Sequence, residues 1–190
     1  MPERVFDVVR TVLSIREYQD REVPDEVVAR VVEAGRLTAS SMNLQPWHFV
    51  VVHDRERLRE LGRLVRTGPY IAQSAFAIVA AYERASRYGV SDLSRAIQSM
   101  VLTAWDDGVG SNWTGFAGIV EGVGAYVGLE ERWDVLAVIP FGYPARPVGL
   151  GRKDRRPLAE IASLERAGTP LTGRLGPAVP PAGIEPASTG

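Results

Sequence analysis

The residues best equipped for chemistry lie between Ser40 and Phe49, in the order Ser-Ser-Met-Asn-Leu-Gln-Pro-Trp-His-Phe. Two hydroxyls precede the amide pair Asn43 and Gln45, so the chemistry on offer is hydrogen bonding. Pro46 stops any helix. Trp47 and Phe49 open an apolar run, Phe49-Val50-Val51-Val52, that reads as a buried strand. A helix-to-strand junction this rich in polar side chains carries function more often than a plain loop. The plainer alternative is a capping loop held by Ser and Asn side chains. Acid–base machinery is not legible elsewhere. There is no Ser-His-Asp arrangement and no pair of carboxylates in a cleft-like context, and His48 sits in a strand pattern and reads as packed. No side chain is expected to act as a dedicated catalyst. With His48 and His53 the only histidines and no cysteine, neither a metal centre nor a thiolate nucleophile is expected.

The elements that must position this junction follow from periodicity. At 190 residues, 45% hydrophobic, the chain fits one domain with a real core. A net charge of −1 gives no reason to expect nucleic acid or a membrane surface. The charged start Met-Pro-Glu-Arg lacks a signal-peptide core, no apolar run approaches a membrane span, and the lack of cysteine fits a cytoplasmic protein. Phe6, Val9, Val12 and Leu13 give a first helix over 3–13. Pro24-Asp25-Glu26 starts a second that ends near Ala39. Asp54 caps a third, carrying Leu58, Leu61, Leu64 and Val65. A second strand runs from about Ala75 to Tyr82. A long helix then starts at Ser91 or Asp92 and closes at Asp107-Gly108-Val109-Gly110. Ser111-Asn112-Trp113 reads as a short strand, Ile119 to Leu129 as a glycine-rich helix, and Trp133 to Phe141 as a strand ended by Pro140. Leu158 to Leu164 reads as a short amphipathic turn. Glycine and proline dominate from Gly168, so 168–190 reads as a tail, disordered or draped on a partner subunit, after a 1–167 domain. Interspersed helices and few strands indicate the α+β class.

The order Ser-Ser-x-Asn-x-Gln-Pro-Trp-x-Phe resembles the signature of the nitroreductase family, and matches continue from about Val5 to about Leu164. Asp92, Ala96 and Gln98, then Gly108, Gly110 and Trp113, match the family's long helix and the Gly-x-Gly-x-x-Trp that follows it. The resemblance implies a small mixed central sheet flanked by helices, in an intertwined homodimer. It implies FMN, reduced by NAD(P)H through hydride transfer to the flavin and reoxidised by an electron-poor acceptor such as a nitroaromatic, quinone or enone. Alternatives within reach are the same fold with other chemistry (dehydrogenation, dehalogenation or flavin cleavage) and a non-catalytic flavin-binding module.

The same resemblance implies the cofactor contacts. The segment after the first helix, Val12-Leu13-Ser14-Ile15-Arg16-Glu17-Tyr18, keeps the family's serine, last basic residue and aromatic, so Ser14 and Arg16 are expected at the phosphate. Val12 and Leu13 replace residues that are usually basic, removing a contact worth about 1–3 kcal/mol, and Arg10 is the nearest substitute. A surface arginine paired with Glu17 or Asp20 is the ordinary alternative for Arg16. Arg155, two before Pro157, matches a C-terminal arginine that reaches back to the phosphate, with Lys153 and Arg156 in reserve. Pro140, Phe141 and Gly142 are expected along the flavin ring, Gly142 allowing close backbone approach. Ser40, Ser41 and Asn43 are expected at the flavin bound mainly by the other subunit. The connection from Glu83 to Val90 is too short for the family's inserted lid.

Overall fold

The apolar run after Pro46 does form a strand. β1 (Trp47–Val52) pairs antiparallel with β2 (Phe76–Glu83), and β2 pairs antiparallel with the long strand Trp133–Gly142. That strand is β4, because the short β3 (Gly110–Ser111) precedes it and pairs with it at Phe141 and Gly142. The sheet order is β1-β2-β4-β3. This computed structural model describes residues 2–115, 119–148 and 153–171. They divide between two compact units, 1–151 and 152–190.

In the first unit the sheet is buried on both faces, and the period-2 alternation of β2 shows why. Phe76, Ile78 and Ala80 point to one core, shared with Leu93, Ile97 and Met100 of α4 (Gly89–Asp106) and Val31 of α2 (Asp25–Arg36). Ala77 and Val79 point to the other, shared with Leu58 and Leu61 of α3 (Arg55–Leu64) and with Val123 of α5 (Val123–Tyr126). A strand buried on both faces reads as a continuous apolar run whichever way its neighbours point. The sheet therefore differs from the mixed one implied by resemblance: its four strands pair antiparallel. A parallel pairing occurs in the single bridge between Ser14 and Ser111.

Several boundaries have local causes. Helix α1 covers Pro2–Thr11. Asp54 accepts from the Arg57 amide, as a capping aspartate should. Gly108, at φ 75, ends α4, with Val109 N donating to Ala104 O and Gly108 N to Trp105 O in a Schellman arrangement. The expected glycine-rich helix shrinks to α5, because Gly122 (φ 79) and Gly128 (φ 76) adopt left-handed conformations on either side. β4 runs on past Pro140 to Gly142. The proline lacks an N–H, but its carbonyl accepts from Asn112 N and Tyr18 Oη. His48 is exposed on β1 rather than packed inside, with its ring centroid 5.4 Å from that of Trp133.

In the second unit, α6 (Leu158–Ile161) follows Pro157, and Ser163 bridges Pro170. The tail expected over 168–190 lies outside the described residues from 172 onward.

Candidate functional site

Two places concentrate the polar residues of interest. The first is a seam between the segment after α1 and the end of β4. Ile15 N donates to Ser111 O (2.8 Å), Gln19 N to Tyr143 O (2.8 Å) and Ala145 N to Glu17 O (2.9 Å). Residues 15–19 are thus strung along Ser111 and 143–145 by backbone bonds, which any side chains would permit. Tyr18 locks the seam from inside, donating to Ile15 O at 2.8 Å. Burial, followed by the nearby Tyr70 phenol, pushes the Tyr18 hydroxyl far above its usual range, while Arg16 opposes this, so it stays a donor. The seam brings Ser14 and Arg16 to the same end of the sheet as Pro140, Phe141 and Gly142.

Arg16 is exposed, and neither expected acid neutralises it. Glu17 pairs with Arg146 (3.6 Å) and Asp20 with Arg55 (3.1 Å). Among the described residues no ion pair holds Arg16, and the hydroxyl of exposed Ser14 faces no recorded partner. Arg10, the substitute cation, is held by Asp7 at 2.8 Å. An unneutralised guanidinium beside a free hydroxyl is a donor set suited to a phosphate.

The second place is the turn after α2. Met42 (φ 53), Asn43 (φ 56) and Gln45 (φ 50) all adopt left-handed backbone conformations, each costing roughly 1–2 kcal/mol. Such strain gathers at functional turns. The turn is closed by Asn43 N donating to Ser40 O and Gln45 N to Ser40 Oγ. Its entry is fixed from α4, since Ser41 N and Ser41 Oγ each donate to the Asp92 carboxylate at 3.0 Å. Asp92 is fully buried and also pairs with Arg95. Burial pushes its carboxyl upward, but the bonds from Ser41 N, Arg95 and Ser41 Oγ outweigh this and hold it below the usual carboxylate range. The Asn43 side chain stays exposed.

Both places belong to a recognisable whole. The sequence model of the Nitroreductase family matches residues 10–83 and 63–143. The chain belongs to the nitroreductase family. A relative from Methanothermobacter thermautotrophicus, provisionally named NADH dehydrogenase/NAD(P)H nitroreductase, is 34% identical over 152 residues, 76% of this chain and 80% of its own length. A solved structure from Bacteroides thetaiotaomicron with the same provisional name superposes at a TM-score of 0.79 with 29% identity, covering 85% of this chain and 97% of that one. A nitroreductase-like protein of Desulfovibrio desulfuricans, solved in complex with FMN, is 30% identical at a TM-score of 0.72, covering 85% and 96%.

Within this nitroreductase fold the residues expected at the site fall into three groups. Ser14, Arg16, Pro140, Phe141 and Gly142 come together. Ser40, Ser41 and Asn43 gather at the other end of α4. Arg155 lies in the second unit, exposed, with Nη1 donating to the carbonyl of Asp154. Lys153 beside it is partly buried, and burial followed by the Arg155 charge lowers its pKa. The smallness of Gly142 is already used by the protein: a Cβ there would sit 2.9 Å from Tyr18 Cδ1 and 3.2 Å from Ala75 N. Sequence reasoning missed the Asp92 contact, although the signal was present. Asp92 stands one turn before Ala96 and two before Met100, both on the buried stripe of α4, and an acid in an apolar stripe requires a partner. It also missed the network in which Asn112 Nδ2 donates to Tyr70 Oη, itself 3.0 Å from Thr114 Oγ1.

Proposed function

We propose that this nitroreductase is an FMN-dependent NAD(P)H oxidoreductase acting as a homodimer on an electron-poor small molecule such as a nitroaromatic, quinone or enone. The observation that carries this reading is Arg16, without an ion pair among the described residues, close in the chain to exposed Ser14 on a seam that bonds to Ser111 and to 143–145 just past β4. FMN, when bound, would supply the redox chemistry between a reduced nicotinamide and the acceptor. The chain's own residues bind and orient. Arg16 and Ser14 would donate to the phosphate and the backbone of Pro140, Phe141 and Gly142 would face the ring, while Arg155 is a further candidate cation carried by the second unit.

Geometry supports two chains per pair of sites. Ser41 is tied to Asp92 in the first turn of α4, whereas Ser14 is tied to Ser111 just beyond its last turn. The helix between them spans roughly 20 Å at about 1.5 Å per residue. One flavin ring cannot lie against both 140–142 and 40–43 of the same chain, so Ser40, Ser41 and Asn43 serve the flavin of a partner subunit. Apolar surface flanks both ends. Val5, Phe6 and Val9 of α1 are 67%, 53% and 45% exposed, and Met42 in the turn is 81% exposed. Exposed apolar residues gathered this way mark an interface. The flavin-binding domain is assigned to 1–167, and the Pro/Gly-rich stretch 168–190 is its tail. A cytoplasmic location fits the lack of cysteine.

Purified protein tests the reading. Flavin absorbance, oxidation of NADH or NADPH with a nitroaromatic or quinone acceptor, and a dimer in sedimentation are expected. Bound flavin with no oxidation of either nucleotide would redirect the assignment to other flavin chemistry. A colourless monomer indifferent to added FMN would overturn it.

A further inference from the structure

The turn 41–45 poses a physical question. Three consecutive or near-consecutive non-glycine residues in left-handed conformations do not persist unless their surroundings over-determine them. The hydrogen bonds inside the turn join residues that are equally free to rearrange. Among the described residues, the turn's exit runs into β1 through Trp47 N donating to Gln45 O, and its entry is tied to another helix by the pair of bonds from Ser41 to Asp92. That helix is α4, 18 residues long and packed on α2 and the sheet, with Gly89 before Asp92 and Leu93 and Ala96 after it all buried.

We infer that Asp92 is a positioning residue of the flavin site: its buried carboxylate clamps the entry of the strained turn and so presents Asn43 and the Ser40–Ser41 backbone to the partner subunit's cofactor. This role rests on the proposed flavin reading only for its last clause. Three donors converge on the two carboxylate oxygens, Ser41 N on Oδ2, Ser41 Oγ on Oδ1 and Arg95 Nη2 on Oδ1. A carboxylate has lone pairs for all three, whereas an amide at this position offers one acceptor oxygen and turns its NH2 toward a donor. The isosteric Asp92→Asn change therefore removes the clamp while preserving the volume. Thr38 adds a second tie from the end of α2 to the same helix, its Oγ1 donating to Ser99 Oγ at 2.7 Å. This tie keeps α2 and α4 together, so loss of the Asp92 contact releases the turn rather than the helices.

The test uses the apo protein and FMN itself. In D92N, amide hydrogen exchange at residues 41, 43, 44 and 45 is expected to accelerate at least tenfold, while amides of β2 and the middle of α4 keep their protection. The FMN dissociation constant, read by quenching of flavin fluorescence, is expected to rise about tenfold, with D92E recovering part of it. Leu61→Ala in α3 serves as the comparator: it lowers the melting temperature by removing a fully buried side chain, yet leaves turn exchange and FMN affinity at wild-type values. If D92N does not fold, S41A removes one of the two bonds and is expected to speed exchange at residues 43–45 by a smaller factor. Wild-type exchange across 41–45 in D92N or in S41A overturns the clamp. Faster exchange with unchanged FMN affinity overturns the link to the cofactor. A wild-type protein that binds no FMN sinks the flavin reading, and the exchange data still decide whether Asp92 holds the turn.

Discussion

The seam at residues 14–19 and the turn at 41–45 are both candidates for holding one cofactor, yet they are built in opposite ways. The seam is a backbone structure. Its bonds join N–H to C=O, and the side chains of Ser14 and Arg16 are exposed while Tyr18 packs inside. The turn is a side-chain structure, forced through three left-handed residues and held by a buried carboxylate on another helix. Replacing a seam side chain should therefore change binding and little else. A change at the turn's support should alter the protein's own structure first.

The largest expected effect lies on the turn side. Asp92→Ala leaves Ser41 N and Ser41 Oγ without their acceptor, and a loss of about 2 kcal/mol is expected in urea denaturation. A loss under half of that would erase the contrast. The pH dependence sharpens it. The folded pKa of Asp92 is depressed, so its stabilisation is fully present above the unfolded value near 3.8 and fades as pH falls through the lower folded value. The gap in melting temperature between wild type and D92A should stay constant from neutral pH to about 5 and close only below about 4.

Next comes a position against the seam where packing is tight. Gly142→Ala places a methyl against the Tyr18 ring and the Ala75 amide, and overpacking of this kind costs about 1–3 kcal/mol. It should lower the melting temperature and disturb the Tyr18 bond to Ile15. An unchanged melting temperature would mean that the seam yields more easily than its geometry suggests. The smallest effect on the fold belongs to Arg16→Ala. Stability should move by no more than about 0.5 kcal/mol, while FMN affinity falls roughly tenfold through loss of one charge-assisted contact. A large drop in stability would break the contrast between the two places.

Much of the fold was legible because it depends on local rules. Asp54 caps α3, Gly108 stops α4, and the runs after Pro46 and Ser74 become strands, each for reasons carried by a few neighbouring residues. The glycine-rich stretch misled, since Gly122 and Gly128 were free to leave helical space and did so. The seam could be foreseen from the order of Ser14, Arg16 and Tyr18, but not the fate of the neighbouring acids. Only in space do Arg146 and Arg55 claim Glu17 and Asp20, leaving Arg16 without an ion pair among the described residues.

By itself the sequence determined the class, the main elements and the family, and it singled out candidate polar groups for the site, because those follow from composition, period and the order of its motifs. The tertiary structure decided which charges cancel, which backbone is strained and which end of α4 each cluster occupies. Ion pairs and strain depend on contacts between residues distant in the chain, as Ser41 is from Asp92, and no local pattern encodes a distance of that kind.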